Sequence, residues 1–518
     1  MKSFLLTLAM AMAFYSLMAQ YQNVMISDEH WPEEPSITMN PKNPDQLVAG
    51  ANIRSYYISD DGGFNWTRGD LVSEQNGVYG DPCLIVDTAG SFYYFHLADP
   101  PQGNWLDRIV CQKFDFGNQT WNDGSYMGLN GDKDQDKAWA AVDSATNTIY
   151  ATWTQFDEYG TTDPSKFSNI LFSKSVDGGL TWSDAMRINE VSGDCVDSDN
   201  TVEGAVPAVG PDGEIYVAWS GPEGIVFDRS LDGGNTWLDE DIFVSDQPGG
   251  WDYDIPGIMR CNGLPITCCD VSNSPYRGTI YVNWTDQRNG TDDTDVWISK
   301  STDGGNTWSE PIRVNDDPPG KQQFLTWMTV DGANGDVYLV FYDRRNYNDL
   351  NTDVYIARST DGGETFENIP VSESPFYPTS GVFFGDYNNI TAYDGQVRPI
   401  WTRLQDGSLS VWTAIIDISV GMPELDAKIP FTLEQNYPNP FRETTYFVYK
   451  LREQTMITLT VYDMYGRPVA LLKNHVTEQK GKYIETFDPR QYGLTSGVYY
   501  YMLRGQNQVQ KRQMVFVE

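Results

Sequence analysis

Four acidic side chains stand at the beginning of short apolar runs that are typical of β-strands. They occur in Gly80-Asp81-Pro82, Asp136-Lys137, Glu203-Gly204 and Gly385-Asp386. Carboxylates that meet in a fold repel one another, so they require cations, protons or arginine partners nearby. Two interpretations are open. Either the four acids form an acid/base pair or a Ca²⁺ site, or each acid caps its own strand by accepting backbone N–H bonds.

A second set of residues combines aspartate with arginine just after a strand. Asp286-Gln287-Arg288 and Asp343-Arg344-Arg345 have the same Asp-x-Arg spacing. In an extended segment this spacing places both side chains on one side of the chain. We consider Asp286, Arg288, Asp343 and Arg344 as substrate-binding residues, because a guanidinium can clamp a carboxylate with two hydrogen bonds. The alternative is an internal Asp–Arg pair that braces the loop, and the repetition of the pattern favours it.

Alternating carboxylates in Asp132-Lys133-Asp134-Gln135-Asp136 suggest a hard, oxygen-binding cation. Ca²⁺ is therefore the one cofactor we consider, with Asp132 and Asp134 as ligands, although the full EF-hand spacing is absent. The chain has three histidines and no metal-binding cysteine spacing, which argues against zinc.

Six cysteines in an exported chain can form disulfides. Cys195, Cys261, Cys268 and Cys269 lie in two adjacent stretches, and we expect pairing within this group. Cys83 and Cys111 stand in strand-like runs and are expected to be buried thiols.

The elements that position these residues are revealed by an eight-residue repeat. Ser301 to Trp308 reads Ser-Thr-Asp-Gly-Gly-Asn-Thr-Trp, and near-copies begin at Ser59, Ser175, Ser230 and Ser359. The Asp can accept backbone N–H bonds across a turn, and the Gly pair supplies positive φ angles. The pattern resembles the Asp-box of sialidase-like β-propellers. The resemblance implies an all-β ring of four-stranded blades.

Strand-like runs recur between the turns with a spacing of about 56 residues, which predicts seven blades; six remain an alternative. The last blade lacks one strand, and Asn23 to Ser27 is an unassigned strand at the other end of the chain. We therefore predict that the N-terminal strand completes the last blade and closes the ring. The loops between second and third strands, and those between blades, should share one face, opposite the repeated turns.

Sialidases of this fold use three arginines on the substrate carboxylate, a tyrosine nucleophile assisted by a glutamate, and an aspartate acid/base. The resemblance gives Glu203 and Tyr387 plausible positions for the glutamate and the tyrosine. Arg288, Arg344 and Arg398 could supply the guanidinium groups. The family's Arg-Ile-Pro motif is missing, since the corresponding region reads Ala51-Asn52-Ile53-Arg54-Ser55.

The two ends of the chain indicate export. We expect residues 1–19 to be a signal peptide, with Lys2 ahead of an apolar run and a cleavage site before Gln20. We assign residues 20–417 to the propeller, 418–430 to a linker and 431–518 to a small all-β domain, of the immunoglobulin-like sandwich kind. Its opening, Asn436-Tyr437-Pro438-Asn439-Pro440-Phe441, resembles the C-terminal sorting domain of the type IX secretion system. That resemblance implies contact with this machinery, followed by secretion or attachment to the outer-membrane surface.

Composition excludes some functions and leaves three hypotheses. A net charge of −37 argues against a nucleic-acid partner, and no segment after the signal peptide is apolar enough to span a bilayer. The favoured function is a glycoside hydrolase related to sialidases that acts on an extracellular glycan or glycoprotein. The alternative is a non-catalytic glycan- or protein-binding adhesion propeller on the cell surface. A polysaccharide lyase is the third hypothesis.

Overall fold

A computed structural model gives the structure of the protein. It describes residues 21–115, 118–418, 431–433, 436, 438–451, 454–463, 467–505 and 508–517. The chain forms two compact units, Met1–Asp417 and Ile418–Glu518. The predicted signal peptide and all of the predicted linker except Ile418 lie outside the described residues.

The first unit consists of short strands joined by turns and loops. In chain order the strands are β1 (Gln22–Ser27), β2 (Ser36–Met39), β3 (Leu47–Ala51), β4 (Ser55–Ser59), β5 (Thr67–Asp70), β6 (Cys83–Val86), β7 (Phe92–Leu97), β8 (Ile109–Asp115), β9 (Thr120–Trp121), β10 (Ser125–Met127), β11 (Asp134–Val142), β12 (Ile149–Phe156), β13 (Ser168–Ser175), β14 (Met186–Arg187), β15 (Glu203–Val209), β16 (Ile215–Gly221), β17 (Gly224–Ser230), β18 (Ile242–Ser245), β19 (Ile266–Cys269), β20 (Ile280–Asp286), β21 (Asp295–Ser301), β22 (Ile312–Arg313), β23 (Gln323–Val330), β24 (Val337–Asp343), β25 (Asp353–Ser359), β26 (Glu367–Pro370), β27 (Asn389–Tyr393), β28 (Gln396–Gln405) and β29 (Ser408–Asp417).

These strands form seven antiparallel sheets within the described residues of the first unit. Six sheets take consecutive strands, from β2–β5 through to β23–β26. The seventh has the order β1-β29-β28-β27, with Gln22 opposite Ile415 and Met25 opposite Trp412. The N-terminal strand therefore completes the last sheet, as the sequence predicts.

The sheets are arranged as a closed ring. The first strand of each sheet contacts the first strands of two neighbouring sheets, in the cyclic order β2, β6, β11, β15, β19, β23, β27 and back to β2. These first strands surround the axis. The residues that precede them therefore meet at one end of the axis, which we call the hub.

The repeated turn is built by side chains that cap the backbone. The Ser301 hydroxyl donates to Asp303 Oδ1 over 2.8 Å and accepts the Gly305 N–H over 2.9 Å. The Thr307 N–H donates to Asp303 Oδ1 over 3.0 Å, and this bond heads the interactions that lower the pKa of Asp303 to about 2. Gly304 and Gly305 have φ angles of 73° and 87°, which a side chain would disfavour.

The aromatic residue that ends the turn packs against the preceding sheet. Trp237 meets Phe172 edge-on with ring centroids 5.0 Å apart, and Trp308 meets Phe227 in the same way at 5.1 Å. Each repeat therefore stabilises its neighbour as well as its own turn, by burying aromatic surface between blades.

The predicted disulfides are wrong, because all six cysteines are free thiols. Cys268 and Cys269 are neighbours in β19, so their side chains face opposite sides of the sheet. Cys268 Sγ lies 3.4 Å from the carbonyl oxygen of Met328, and Cys261 Sγ lies 3.9 Å from that of Asn262. Cys83 and Cys111 are buried thiols, as predicted.

The second unit is a small two-sheet all-β domain. Its elements are β30 (Phe431–Leu433), β31 (Thr445–Leu451), β32 (Thr455–Asp463), β33 (Pro468–Glu478), β34 (Gly481–Phe487), a 3₁₀ turn (Pro489–Tyr492), β35 (Gly497–Gly505) and β36 (Gln508–Phe516). The sheets have the orders β30-β31-β34 and β33-β32-β35-β36, and one core contains residues of both. Phe447 stacks on Tyr501 across that core with centroids 4.2 Å apart. Nowhere in the described chain does a helix have the length and apolar character required to traverse a bilayer.

Candidate active site

Left-handed backbone conformations and β-bulges change the direction of side chains at the hub. The pairing between first and second strands slips by one residue after Asp136, Glu203 and Phe324. Such a bulge adds one residue and bends the strand. In six of the seven blades a residue with positive φ stands within the first strand or up to four residues before it: Glu34 (51°), Asp81 (55°), Lys137 (48°), Gly204 (81°), Leu325 (49°) and Gly385 (96°).

Lys137 joins carboxylates from three other blades. Its Nζ lies 2.7 Å from Asp386 Oδ2, 3.5 Å from Asp81 Oδ2 and 3.9 Å from Glu34 Oε1. Asp136 accepts the Lys137 N–H over 2.8 Å. The structure therefore brings together the predicted acids Asp81, Asp136 and Asp386, with a buried ammonium between them.

Sequence reasoning missed two acids at this point. Glu33 and Glu34 precede the first strand of the first blade and have the same setting as the four predicted acids. Glu34 Oε1 accepts the Asp386 N–H over 3.0 Å, and Asn52 Nδ2 donates to Glu34 Oε2. The signal was available, because Glu33-Glu34-Pro35 has the same position in its blade as Gly80-Asp81-Pro82 in the next.

Arg260 closes the solvent side of the hub. Its Nε lies 2.9 Å from Asp386 Oδ1, its Nη2 contacts Oδ2 of the same carboxylate, and its Nη1 lies 3.6 Å from Asp197. Tyr159 donates its hydroxyl to Asp197 over 2.6 Å. The Arg260 side chain remains 42% exposed, against 10% for Lys137. Arg260 and Asp197 come from long loops between strands, where no sequence pattern identifies them.

The hub separates the pKa values of its carboxyl groups. Burial alone would raise the pKa of Asp386, but the charges of Lys137 and Arg260 hold it at about 2. Burial and the charge of Asp81 raise the pKa of Asp136 to about 8. Burial favours the neutral form of Lys137, but the surrounding carboxylates raise its pKa well above the usual value. An ionised carboxylate and a protonated one therefore coexist at neutral pH.

Glu203 and Tyr387 are buried polar groups at the hub. Glu203 is fully buried and its carboxyl group pairs with that of Asp197; burial, followed by the charges of Asp197 and Asp136, raises its pKa well above the usual value. The Tyr387 hydroxyl is buried and makes no hydrogen bond within the described residues. A buried polar group without a partner is costly, so each such group requires an explanation.

Aromatic side chains close the axis beneath the hub. The Trp139 ring lies 4.5 Å from that of Trp327 and 5.0 Å from that of Tyr387, between ring centroids. A cavity of about 20 Å³ beside them is lined by Lys137 and Asp386 among others, and it has room for about one water molecule. In this conformation the hub is a closed site.

The Asp286–Arg288 motif braces its loop, the second of the two alternatives. Arg288 Nε lies 2.9 Å from Asp286 Oδ1, and the guanidinium covers the Trp297 ring at 4.4 Å. Asp286 is fully buried. Because the guanidinium is used within the protein, a clamp on a substrate carboxylate is not available here.

The second motif pairs differently from the prediction. Arg345 Nε donates to Asp343 Oδ2 over 2.8 Å, so the Asp-x-Arg pair of this motif is Asp343 with Arg345. Arg344 has other partners. Arg344 Nη1 donates to the Pro256 carbonyl over 2.7 Å, and burial lowers its pKa to about 10. Arg398 Nε donates to the Gly62 carbonyl over 2.7 Å, in the first repeated turn on the opposite face. Arg288, Arg344 and Arg398 therefore bind separate parts of the protein and do not form the three-arginine cluster of sialidases.

The two predicted calcium ligands make separate contacts. Asp132 Oδ1 accepts Asn104 Nδ2 over 3.4 Å, and Asp134 Oδ2 accepts the Tyr159 N–H over 2.8 Å. Within the part of the chain that the structure describes, no group of three or more His, Cys, Asp or Glu side chains has a metal-binding arrangement. The calcium site remains a prediction.

Exposed aromatic rings stand beside the hub. Tyr79 and Trp105 are 40% and 43% exposed, with ring centroids 5.4 Å apart. Trp105 also lies 6.1 Å from Tyr159, which bonds to Asp197. These rings come from loops that precede a first strand or join second and third strands, so a rim of aromatic surface leads to the acidic centre.

Comparison with known proteins identifies the C-terminal region. Residues 435–518 match the family model described as the secretion system C-terminal sorting domain. The type IX sorting domain shows that the protein is exported and then secreted or attached to the cell surface. No curated protein matches the sequence.

Solved structures are similar to this chain at low sequence identity. The NanB sialidase from Streptococcus pneumoniae is 8% identical, with 71% of this chain and 83% of that chain covered and a TM-score of 0.43. An ulvan lyase of polysaccharide lyase family PL25 is 12% identical, covering 76% and 96%, with a TM-score of 0.46. YCF48 bound to a D1 peptide is 12% identical, covering 76% and 95%, with a TM-score of 0.40.

Proposed function

We propose that this exported protein is a glycan-active hydrolase whose acid/base centre is the hub of the propeller. The observation that carries the proposal is Glu203, a fully buried carboxyl group whose side-chain partner is a second carboxyl group, that of Asp197. Such a group is costly to bury, and a reactive role accounts for its presence.

The separated pKa values suit hydrolysis of a glycosidic bond. Burial raises the pKa of Asp136 to about 8 and that of Glu203 well above its usual value, so both are candidates to donate a proton to the leaving oxygen. Asp386 stays ionised and can stabilise the positive charge that develops on the sugar ring. Because Arg288 and Arg398 are engaged elsewhere, the proposal uses carboxyl groups and not the three-arginine clamp of sialidases.

The test measures hydrolysis of a panel of neutral, amino and acidic oligosaccharides through the reducing ends that are released. We expect Glu203→Gln and Asp136→Asn each to lower turnover by about 10²-fold or more, the typical contribution of a general acid. Asp228→Asn is the matched control, because Asp228 is also fully buried but lies on β17, away from the hub. Equal turnover in all three variants would remove the hub from the mechanism.

A non-catalytic binding propeller is the second candidate. It is favoured by the closure of the hub, since Arg260 covers the acids and the cavity below has room for about one water molecule. Oligosaccharide binding by the wild-type protein without release of reducing ends would support this candidate over the hydrolase. A product absorbing in the ultraviolet would indicate a lyase.

A further inference from the structure

We propose that the hub binds an amino-sugar oligosaccharide, and that the ammonium group of the ligand takes the place that the Arg260 guanidinium now occupies. This inference rests on the proposed function, because it assumes that the hub is the glycan site. It specifies the charge and the chemical class of the ligand, neither of which follows from the fold.

The charge of the hub excludes an acidic ligand. Lys137 and Arg260 are the cations that contact its carboxyl groups, and both are already paired. Three carboxylates, Asp81, Asp197 and Asp386, meet these two cations, and four carboxyl groups with raised pKa values lie around them: Glu33, Glu34, Asp136 and Glu203. The whole protein carries a net charge of −37. Since a surface of one sign repels ligands of the same sign, a uronate or sialylated chain is disfavoured here.

An ammonium group has a defined place in this arrangement. Arg260 bridges Asp386 and Asp197 at the solvent side, and its side chain is 42% exposed. Lys137 holds the same Asp386 from the interior and is only 10% exposed. Arg260 is therefore the cation that a ligand can displace without unpairing the interior. A ligand ammonium in its place would keep both carboxylates neutralised.

Tyr387 provides the second, independent observation for a ligand at this point. Its hydroxyl is buried and makes no hydrogen bond within the described residues, and its side chain lines the same small cavity as Lys137 and Asp386. Asp386 therefore lies next to both the displaceable cation and this cavity. A sugar that entered at Asp386 could offer the Tyr387 hydroxyl the hydrogen-bond partner that the protein does not supply.

The rim favours a sugar over a basic peptide. Tyr79 and Trp105 present flat, partly exposed rings close to Tyr159, and Tyr159 bonds to Asp197. Pyranose rings have apolar C–H faces that pack against such surfaces, while their hydroxyl groups remain free for polar contacts. A chain of linked sugars can therefore cover the rim and place one amine between Asp197 and Asp386.

The experiment measures binding of three hexasaccharides by calorimetry at pH 6, where the amine is protonated. They are a glucosamine hexamer, the neutral N-acetylglucosamine hexamer and an acidic galacturonate hexamer. We expect the wild-type protein to prefer the glucosamine hexamer. Arg260→Ala should bind that hexamer about threefold to tenfold more tightly, because the competing cation is removed. Asp197→Asn should bind it more weakly by a similar factor.

Arg68→Ala is the matched control, because Arg68 pairs with Asp70 on β5, outside the hub. It should leave the affinity for all three hexamers unchanged. The inference is overturned if the galacturonate hexamer binds best and the Arg260→Ala variant no longer binds it. It is also overturned if Arg260→Ala leaves the affinity for the glucosamine hexamer unchanged. Preference for the neutral hexamer overturns the charge assignment and leaves the hydrolase proposal standing. Failure of all three hexamers to bind, together with no turnover on the wider panel, overturns both.

Discussion

Replacement of Lys137 by methionine should destabilise the propeller by more than the loss of an exposed ion pair does. The Lys137 Nζ lies within 3.9 Å of Asp386, Asp81 and Glu34, which belong to three different blades. Removal of one partner from a buried ion pair typically costs about 3–5 kcal/mol, because a charge is left buried without compensation. Methionine keeps much of the side-chain volume, so the packing beside Tyr387 changes little.

The assay is thermal unfolding of the purified protein at pH 7.5 and at pH 4.5. For a propeller of this size we expect the melting temperature to fall by on the order of 5 °C at pH 7.5. The loss should be smaller at pH 4.5, because the carboxylates that lose Lys137 can then take up protons.

The control for this prediction is Lys300→Met. The Lys300 Nζ lies 2.6 Å from Glu364 on the opposite face, and Glu364 is mostly exposed. Such a pair contributes about 0–1 kcal/mol. Equal shifts for Lys137→Met and Lys300→Met, or a Lys137→Met shift that does not depend on pH, would refute the view that Lys137 neutralises the hub.

Three further predictions concern stability and thiol chemistry. The pKa of Asp136 in the folded state, about 8, exceeds its ordinary value, so the folded state binds more protons than the unfolded state between pH 4 and pH 8. Stability should therefore decrease from pH 4 to pH 8. Asp136→Asn should make the melting temperature less dependent on pH over that range. Ser301→Ala should cost about 1 kcal/mol in a chemical denaturation experiment, because the Gly305 N–H loses its acceptor; an unchanged midpoint would contradict the turn geometry. The mass of the unfolded protein alkylated without a reductant should show six modified cysteines, and any shortfall would indicate a disulfide.

The ring could be predicted because its repeat specifies its own geometry. Asp303, Gly304 and Gly305 require one type of turn, and five copies at similar spacing require one type of blade. The closing strand could be predicted because an open ring would expose two sheet edges. The turn is a local inference, whereas ring closure joins Gln22 to Ile415 and follows from the count of strands in the last blade.

The candidate site could be predicted only in part. Asp81, Asp136 and Asp386 were found because they stand next to first strands, which the fold places around one axis. Arg260 and Asp197 belong to irregular loops without a periodic pattern, so their convergence depends on tertiary contacts alone. The same limit applies to the cysteines, since proximity in sequence does not establish that two thiols face each other.

The most direct test of the acid/base hub is the pH dependence of kcat/KM for the best substrate of the panel. The hydrolase proposal requires a protonated carboxyl group in the free enzyme, and burial together with Asp81 raises the pKa of Asp136 to about 8. We predict that kcat/KM is maintained through neutral pH and declines as the pH rises through about 8. A kcat/KM that stays constant or increases from pH 6 to pH 9.5 would contradict a protonated acid at the hub.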